Sequence, residues 1–177
     1  MTMSSLNDIK EDSQYRQFRT VLKTVAGKVS LDDVLDEARV IHSNRPARVL
    51  YKAKLEPTTI FQAAAYDVNA RARLVEIRAQ LYRQKSVIDN ATVKMRTYLA
   101  TQYATAIRNK GSTQQERKVT LDRILAQALE MVAEFEDTLE QLDSYIKDID
   151  QAGFAIRNIT EVLKLLMNPN KSGTVEV

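Results

Sequence analysis

Lys94 and Arg96 stand two positions apart in "VKMRTYLATQY", residues 93–103, with Tyr98 and Tyr103 beside them and Arg108 and Lys110 a few residues on. Cations that meet phosphates release counterions, and aromatic rings offer faces on which unpaired bases stack. This combination is the chemistry of a single-stranded nucleic-acid interface. Lys94, Arg96, Tyr98, Tyr103, Arg108 and Lys110 are its candidate residues.

The competing explanation for a basic helix is a solvated or ion-paired face. It works for Arg71, Arg78 and Lys85, because Asp150, Asp143 and Glu136 follow at matching spacing in reverse order. It works poorly for the candidate residues. The stretch expected to lie opposite them, residues 113–129, holds Glu116 and Asp122 but also Arg117, Lys118 and Arg123. That end is expected to be basic on both helices, with no acid facing Lys94 and Arg96. Two positions on one helix point about 200° apart. Lys94 and Arg96 therefore cannot form a single patch on one chain, and a ring or barrel of hairpins would let them serve adjacent surfaces.

Other chemistry is sparse. There is no phosphate-binding glycine loop, no HExxH and no Cys/His cluster, so no metal, cofactor or catalytic centre is expected. His42 is the single histidine, near the end of a short helix where a cation suits the dipole, and a structural role is the expectation. The acids of 130–150 read as a salt-bridged surface. The chain is expected not to be an enzyme. A second basic stretch, "RPARVLYKAKLE", carries Arg45, Arg48, Lys52 and Lys54. It is an alternative binding arm or an ordinary linker.

The elements that would position these residues are helices. Among 177 residues, 44% are hydrophobic and 28% charged, with 4 Gly, 3 Pro and no Cys, which fits one folded domain without disulfides. The polar opening "MTMSSLNDIKEDSQ" has no signal-peptide pattern, and no run nears the roughly 20 apolar residues that span a bilayer. A soluble cytoplasmic protein is expected. Net charge is only +3, but residues 58–110 hold nine Lys and Arg against three acids, and residues 113–167 hold six against eleven. The opposite signs predict that the two segments pair.

The fold class expected is all-α: a long antiparallel helical hairpin, coiled-coil-like, with short N-terminal helices, assembling into a homo-oligomer. Residues 5–26 read as one helix ended by Gly27, followed by a short helix capped by Ser30. Residues 1–57 thus hold N-terminal helices and an extended arm, where Val49, Tyr51, Ala53 and Leu55 alternate in a strand-like way. From Thr58 to Lys110 no Pro or Gly intervenes, and Ala70, Leu74, Ile77, Leu81, Ile88, Ala91, Met95 and Tyr98 form a seam. Gly111 is expected as a left-handed cap, and Ser112 or Thr113 with Gln115 or Glu116 as a capping box. A second seam runs from Leu125 through Phe135, Leu142, Ile149 and Gly153 to Leu163, stopping before Asn168–Pro169. In this register Ile88 faces Phe135, Leu81 faces Leu142, and Gly153 faces Ala70. Residues 168–177 read as a mobile C-terminal tail. Leu129, Met131, Tyr145, Ile159, Val162 and Leu166 lie outside the second seam, which predicts further burial, in part against other copies.

Two motifs carry a resemblance. "VKMRTYLATQY" resembles the Leu-Lys-Ala-Arg-Leu-x-Tyr-Tyr motif of the phage recombination mediator UvsY family, with Lys94 and Arg96 on its Lys-x-Arg. "GFAIRNI", residues 153–159, is similar to that family's Gly-Phe-Ala-Ile-Lys-x-Ile, and "RNKGS" to the break between its motifs. The resemblance covers about residues 70–165 and not residues 1–57. It implies a non-enzymatic protein of DNA recombination and DNA repair in a bacteriophage. Such a protein forms a ring-like homo-oligomer, binds single-stranded DNA, and loads a recombinase onto DNA covered by single-strand-binding protein. It also implies DNA contacts at Lys94 and Arg96 and an oligomer interface at Gly153, Phe154 and Ile156. The alternative from the residues themselves is a structural or scaffolding coiled-coil oligomer, as in a virion or assembly component.

Overall fold

The computed structural model describes residues 6–46 and 56–167, and every regular element among them is helical. A short 3-10 helix, Leu6–Glu11, precedes α1 (Ser13–Ala26) and α2 (Leu31–Ser43). The long α3 (Pro57–Gln102) is followed by α4 (Ala104–Lys110), α5 (Gln114–Ile124) and the long α6 (Ala126–Met167). Among the described residues no helix is long and apolar enough to cross a membrane. The strand-like stretch 49–55, with Arg48, Lys52 and Lys54, and the tail 168–177 lie outside the described residues.

The chain folds as two compact units: residues up to Val34 with Ala79–Leu139, and Leu35–Arg78 with residues from Glu140. In the first, Phe18, Leu22 and Val25 of α1 are buried, as are Leu81, Ile88, Met95 and Leu99 of α3 and Leu125, Ala128 and Phe135. The three- and four-residue spacing that selected the seams has put their larger members inside. Near the candidate residues the buried positions become Thr92, Met95, Leu99 and Tyr103, with Tyr98 only half-buried. That is the spacing of a straight helix rather than a strict heptad.

In the second unit, Ile60, Ala63 and Ile156 form a cluster, with Ala64, Ile159 and Leu163 packed on it. Beside it lies a charged knot. The Arg45 guanidinium, 1% exposed, donates to both oxygens of Asp67 at 2.8 and 3.2 Å and to Asp148 at 3.0 Å. His42 reaches the same Asp148 oxygen at 2.7 Å and stacks on Tyr145. Burial would depress the Arg45 pKa, but its bonds and proximity to Asp67 outweigh this and hold it above the ordinary arginine value. Arg45, read in sequence as part of an alternative binding arm or an ordinary linker, is therefore an internal anchor.

The expected charge pairs form. Arg71 meets Asp150 at 2.7 Å and Arg78 meets Asp143 at 2.6 Å in the second unit, and Lys85 meets Glu136 at 3.0 Å in the first.

Three breaks depart from the sequence reading. The helix read over 5–26 is interrupted at Asp12, whose carboxylate caps α1 by accepting the Gln14 and Tyr15 N–H groups at 2.8 and 3.1 Å. The helix read over 58–110 is disturbed at Tyr103, φ −108° and ψ 21°, although Tyr103 still bonds Leu99 and Ile107 in helical fashion. The helix read over 113–167 is disturbed at Leu125. There the Ala128 N–H bonds Leu125 instead of Ile124, and the Ile124 carbonyl accepts the Tyr15 hydroxyl at 3.2 Å. At the first, the Tyr103 side chain itself reaches Asp12 of the N-terminal segment; at the second, Tyr15 of α1 takes the freed carbonyl.

Candidate nucleic-acid interface

The residues from Lys94 to Arg123 include seven cations (Lys94, Arg96, Arg108, Lys110, Arg117, Lys118, Arg123) and two acids, a net of +5. Both acids are already engaged. Asp122 binds Arg96 at 2.6 Å, each side chain being about one-third exposed. An acid therefore does face Arg96, contrary to the sequence expectation, because α5 brings Asp122 alongside α3.

Glu116 closes the α5 capping box: Thr113 accepts from the Glu116 N–H, and the Glu116 carboxylate accepts from Thr113 N–H at 3.0 Å and Ser112 N–H at 2.8 Å. These bonds, the Thr113 one foremost, hold the Glu116 carboxyl below its usual pKa. The turn before it is tight. Gly111 is extended (φ −149°) rather than left-handed, and its glycine is required by space: a Cβ there would stand 2.7 Å from the Glu116 Cβ. Arg117 staples the turn by donating to the carbonyls of Gly111 and Ser112 at 3.1 and 2.8 Å.

Lys94, Arg108 and Lys110 are exposed, and among the described residues none of them has a carboxylate partner. Lys94 lines a groove of about 360 Å³ with Gln14, Phe18 and Val21 of α1 and Met95 and Tyr98 of α3.

The tyrosines are placed differently. Tyr98 and Tyr103 donate their hydroxyls to one oxygen of Asp12 at 2.8 and 3.0 Å, and the Tyr103 side chain is fully buried. Tyr103 has no ring face to offer a base in this arrangement. Desolvation opposes ionisation of Asp12, but the hydroxyl and backbone bonds prevail and lower its pKa. In turn Asp12 raises the pKa of Tyr98, and burial with Asp12 pushes Tyr103 up to about 12. Asp12, a Ser13-flanked acid before a helix, bore a capping signature in sequence. Its partners, 86 and 91 residues away, left no local trace.

The three residues expected at an oligomer interface separate by environment. Ile156 is buried in the second unit's cluster. Phe154 is 62% exposed, with the Arg157 guanidinium 5.5 Å from its ring centre. Gly153 is exposed and a Cβ on it would meet nothing within 4 Å, so its smallness serves no close approach inside the chain. Gly153 and Phe154 line a pocket of about 400 Å³ with Ala64, Val68 and Ile156. Compared with protein-family models, curated proteins and solved structures, the chain matches none.

Proposed function

We propose that the chain is a single-stranded-DNA-binding recombination mediator, which helps load a recombinase onto DNA covered by single-strand-binding protein. The observation that carries this reading is the cluster at 94–123, where both acids are engaged and Lys94, Arg108 and Lys110 keep free charge. The Lys-x-Arg and "GFAIRNI" motifs support it. In this reading α3 and α6 are the arms of an antiparallel hairpin, supported by the ion pairs of Arg71, Arg78 and Lys85. Copies assemble through the exposed face at Gly153 and Phe154.

A fluorescence-anisotropy titration with oligothymidine across a salt series tests the reading. The native chain should bind, with affinity falling steeply as salt rises. Lys94→Ala should flatten the log–log salt slope by about 0.7 per chain, the value of one lost phosphate contact on a single strand. Arg96 contributes only after leaving Asp122, so Asp122→Asn should tighten binding. No binding at low salt would end this reading. The exposed Phe61 and Phe154, 74% and 62% accessible, would then favour a scaffolding oligomer.

A further inference from the structure

A pocket of about 410 Å³ lies against α5 at the end of α4, within the roughly 300–1,000 Å³ usual for small-ligand sites. Leu6, Val119 and Ile124 give it an apolar lining, and Lys110, Arg123 and Gln115 add polar groups. Neither Lys110 nor Arg123 has a carboxylate partner among the described residues. Glu116 also lines the pocket, but its Oε2 atom is held by Ser112 N–H, the Ser112 hydroxyl and Thr113 N–H at 2.8, 3.0 and 3.0 Å. Its charge is directed into the turn.

Lys110 and Arg123 each sit in the last turn of a helix, where a cation suits the dipole. The dipole accounts for their type but not for two helices delivering free cations to one apolar pocket. The pocket is also rigidly framed. Gly111 leaves no room for a Cβ, Arg117 bonds two carbonyls of the turn, and the capping box fixes the start of α5. A site held in place before binding spends less entropy on its ligand.

We propose that this pocket seats one nucleotide of a single strand, with Lys110 and Arg123 on the flanking phosphates and the sugar and base against Leu6, Val119 and Ile124. The inference rests on the DNA-binding reading above and extends it from Lys94 to a second, apolar-lined site that includes Arg123. A bare phosphate ion would use the cations and not the apolar lining. Leu6, Val119 and Ile124 offer no side-chain hydrogen bond to a base edge, so base identity matters little at that lining.

The test is a set of anisotropy titrations with labelled oligothymidine over a salt series. Lys110→Ala/Arg123→Ala should weaken binding on the order of tenfold at low salt and reduce the log–log slope by about 1.4 per chain, two contacts of about 0.7 each. Lys110→Gln/Arg123→Gln, which keeps polar side chains of some length, should do the same. Val119→Ala should weaken binding several-fold with an unchanged slope, since an apolar contact releases no counterion. Lys23→Ala/Lys28→Ala removes equal charge elsewhere and should stay within about twofold of native. Circular dichroism and sedimentation verify that each variant is folded and assembled as the native chain. If the native chain binds and the Lys110/Arg123 variants behave like the Lys23/Lys28 control, the pocket is refuted while the broader reading stands. If the native chain does not bind at low salt, both fall.

Discussion

Asp12 shows how much one carboxylate can hold. It caps α1 with one oxygen and accepts two tyrosine hydroxyls with the other, while only 5% exposed. Its folded pKa is lowered from 3.8, so its stabilisation is complete above that unfolded value and is lost as pH falls through the lower folded one. Asp148, lowered chiefly by His42, adds to the same acid limb. The tyrosines act at the other extreme. Their folded pKa values are raised above 10, so their contribution is present below pH 10 and fades as pH climbs toward about 12. Urea midpoints should therefore fall both at pH 3 and above pH 10. Asp12→Asn keeps capping ability but loses charge-assisted bonds, costing about 1.5–3 kcal/mol at pH 7, and its acid limb should be shallower. An identical acid limb in native and variant would show that other carboxylates govern it.

Asp67 invites a harsher experiment. Asp67→Ala leaves the Arg45 guanidinium, 1% exposed, with Asp148 as its one remaining carboxylate partner, and breaking a buried pair on one side costs up to about 3–5 kcal/mol. Calorimetry should show this loss, and replacing both residues with apolar ones of similar volume should recover most of it.

At the scale of elements, the helices were legible because apolar residues recur at helical spacing and glycine and proline are rare. The capping box at Thr113 and Glu116 was legible because its two partners are three residues apart. The irregularities at Tyr103 and Leu125 were not: the side chains met near them, Asp12 and Tyr15, lie 91 and 109 residues from their partners in sequence. Nor was the reason for Gly111, which is crowding by Glu116 rather than backbone sign.

Two glycines give contrasting predictions. Gly111→Ala forces a Cβ to within 2.7 Å of Glu116 and should lower the melting temperature. Gly153→Ala meets nothing and removes the helix penalty of glycine, about 1 kcal/mol, so the single chain should melt higher. If copies approach each other at Gly153, the same change should weaken assembly. Sedimentation beside the thermal melt separates the two effects.

At the scale of the whole molecule, Phe61, Phe154 and Leu165 are 74%, 62% and 65% exposed. Large apolar groups left in water raise the free energy of the isolated chain by about 25 cal/mol per Å², which favours contact with another surface. The chain should sediment as more than one 20.1 kDa unit at micromolar concentration. Phe154→Asp should shift it toward the single-chain species, with helicity preserved because Phe154 has little burial to lose. A single-chain species for the native protein would remove the assembly reading.

The bonds of Asp12 and Tyr15 also set a schedule for synthesis. Asp12 waits for Tyr103, 91 residues later, and Tyr15 for Ile124, 109 residues later. A ribosome adds roughly 5–20 residues per second, so the α1 segment is made roughly 5–20 s before these partners. Throughout that interval Phe18, Leu22 and Val25, buried in the finished fold, lack part of their native cover, and the emerged segment is a place for a chaperone to hold.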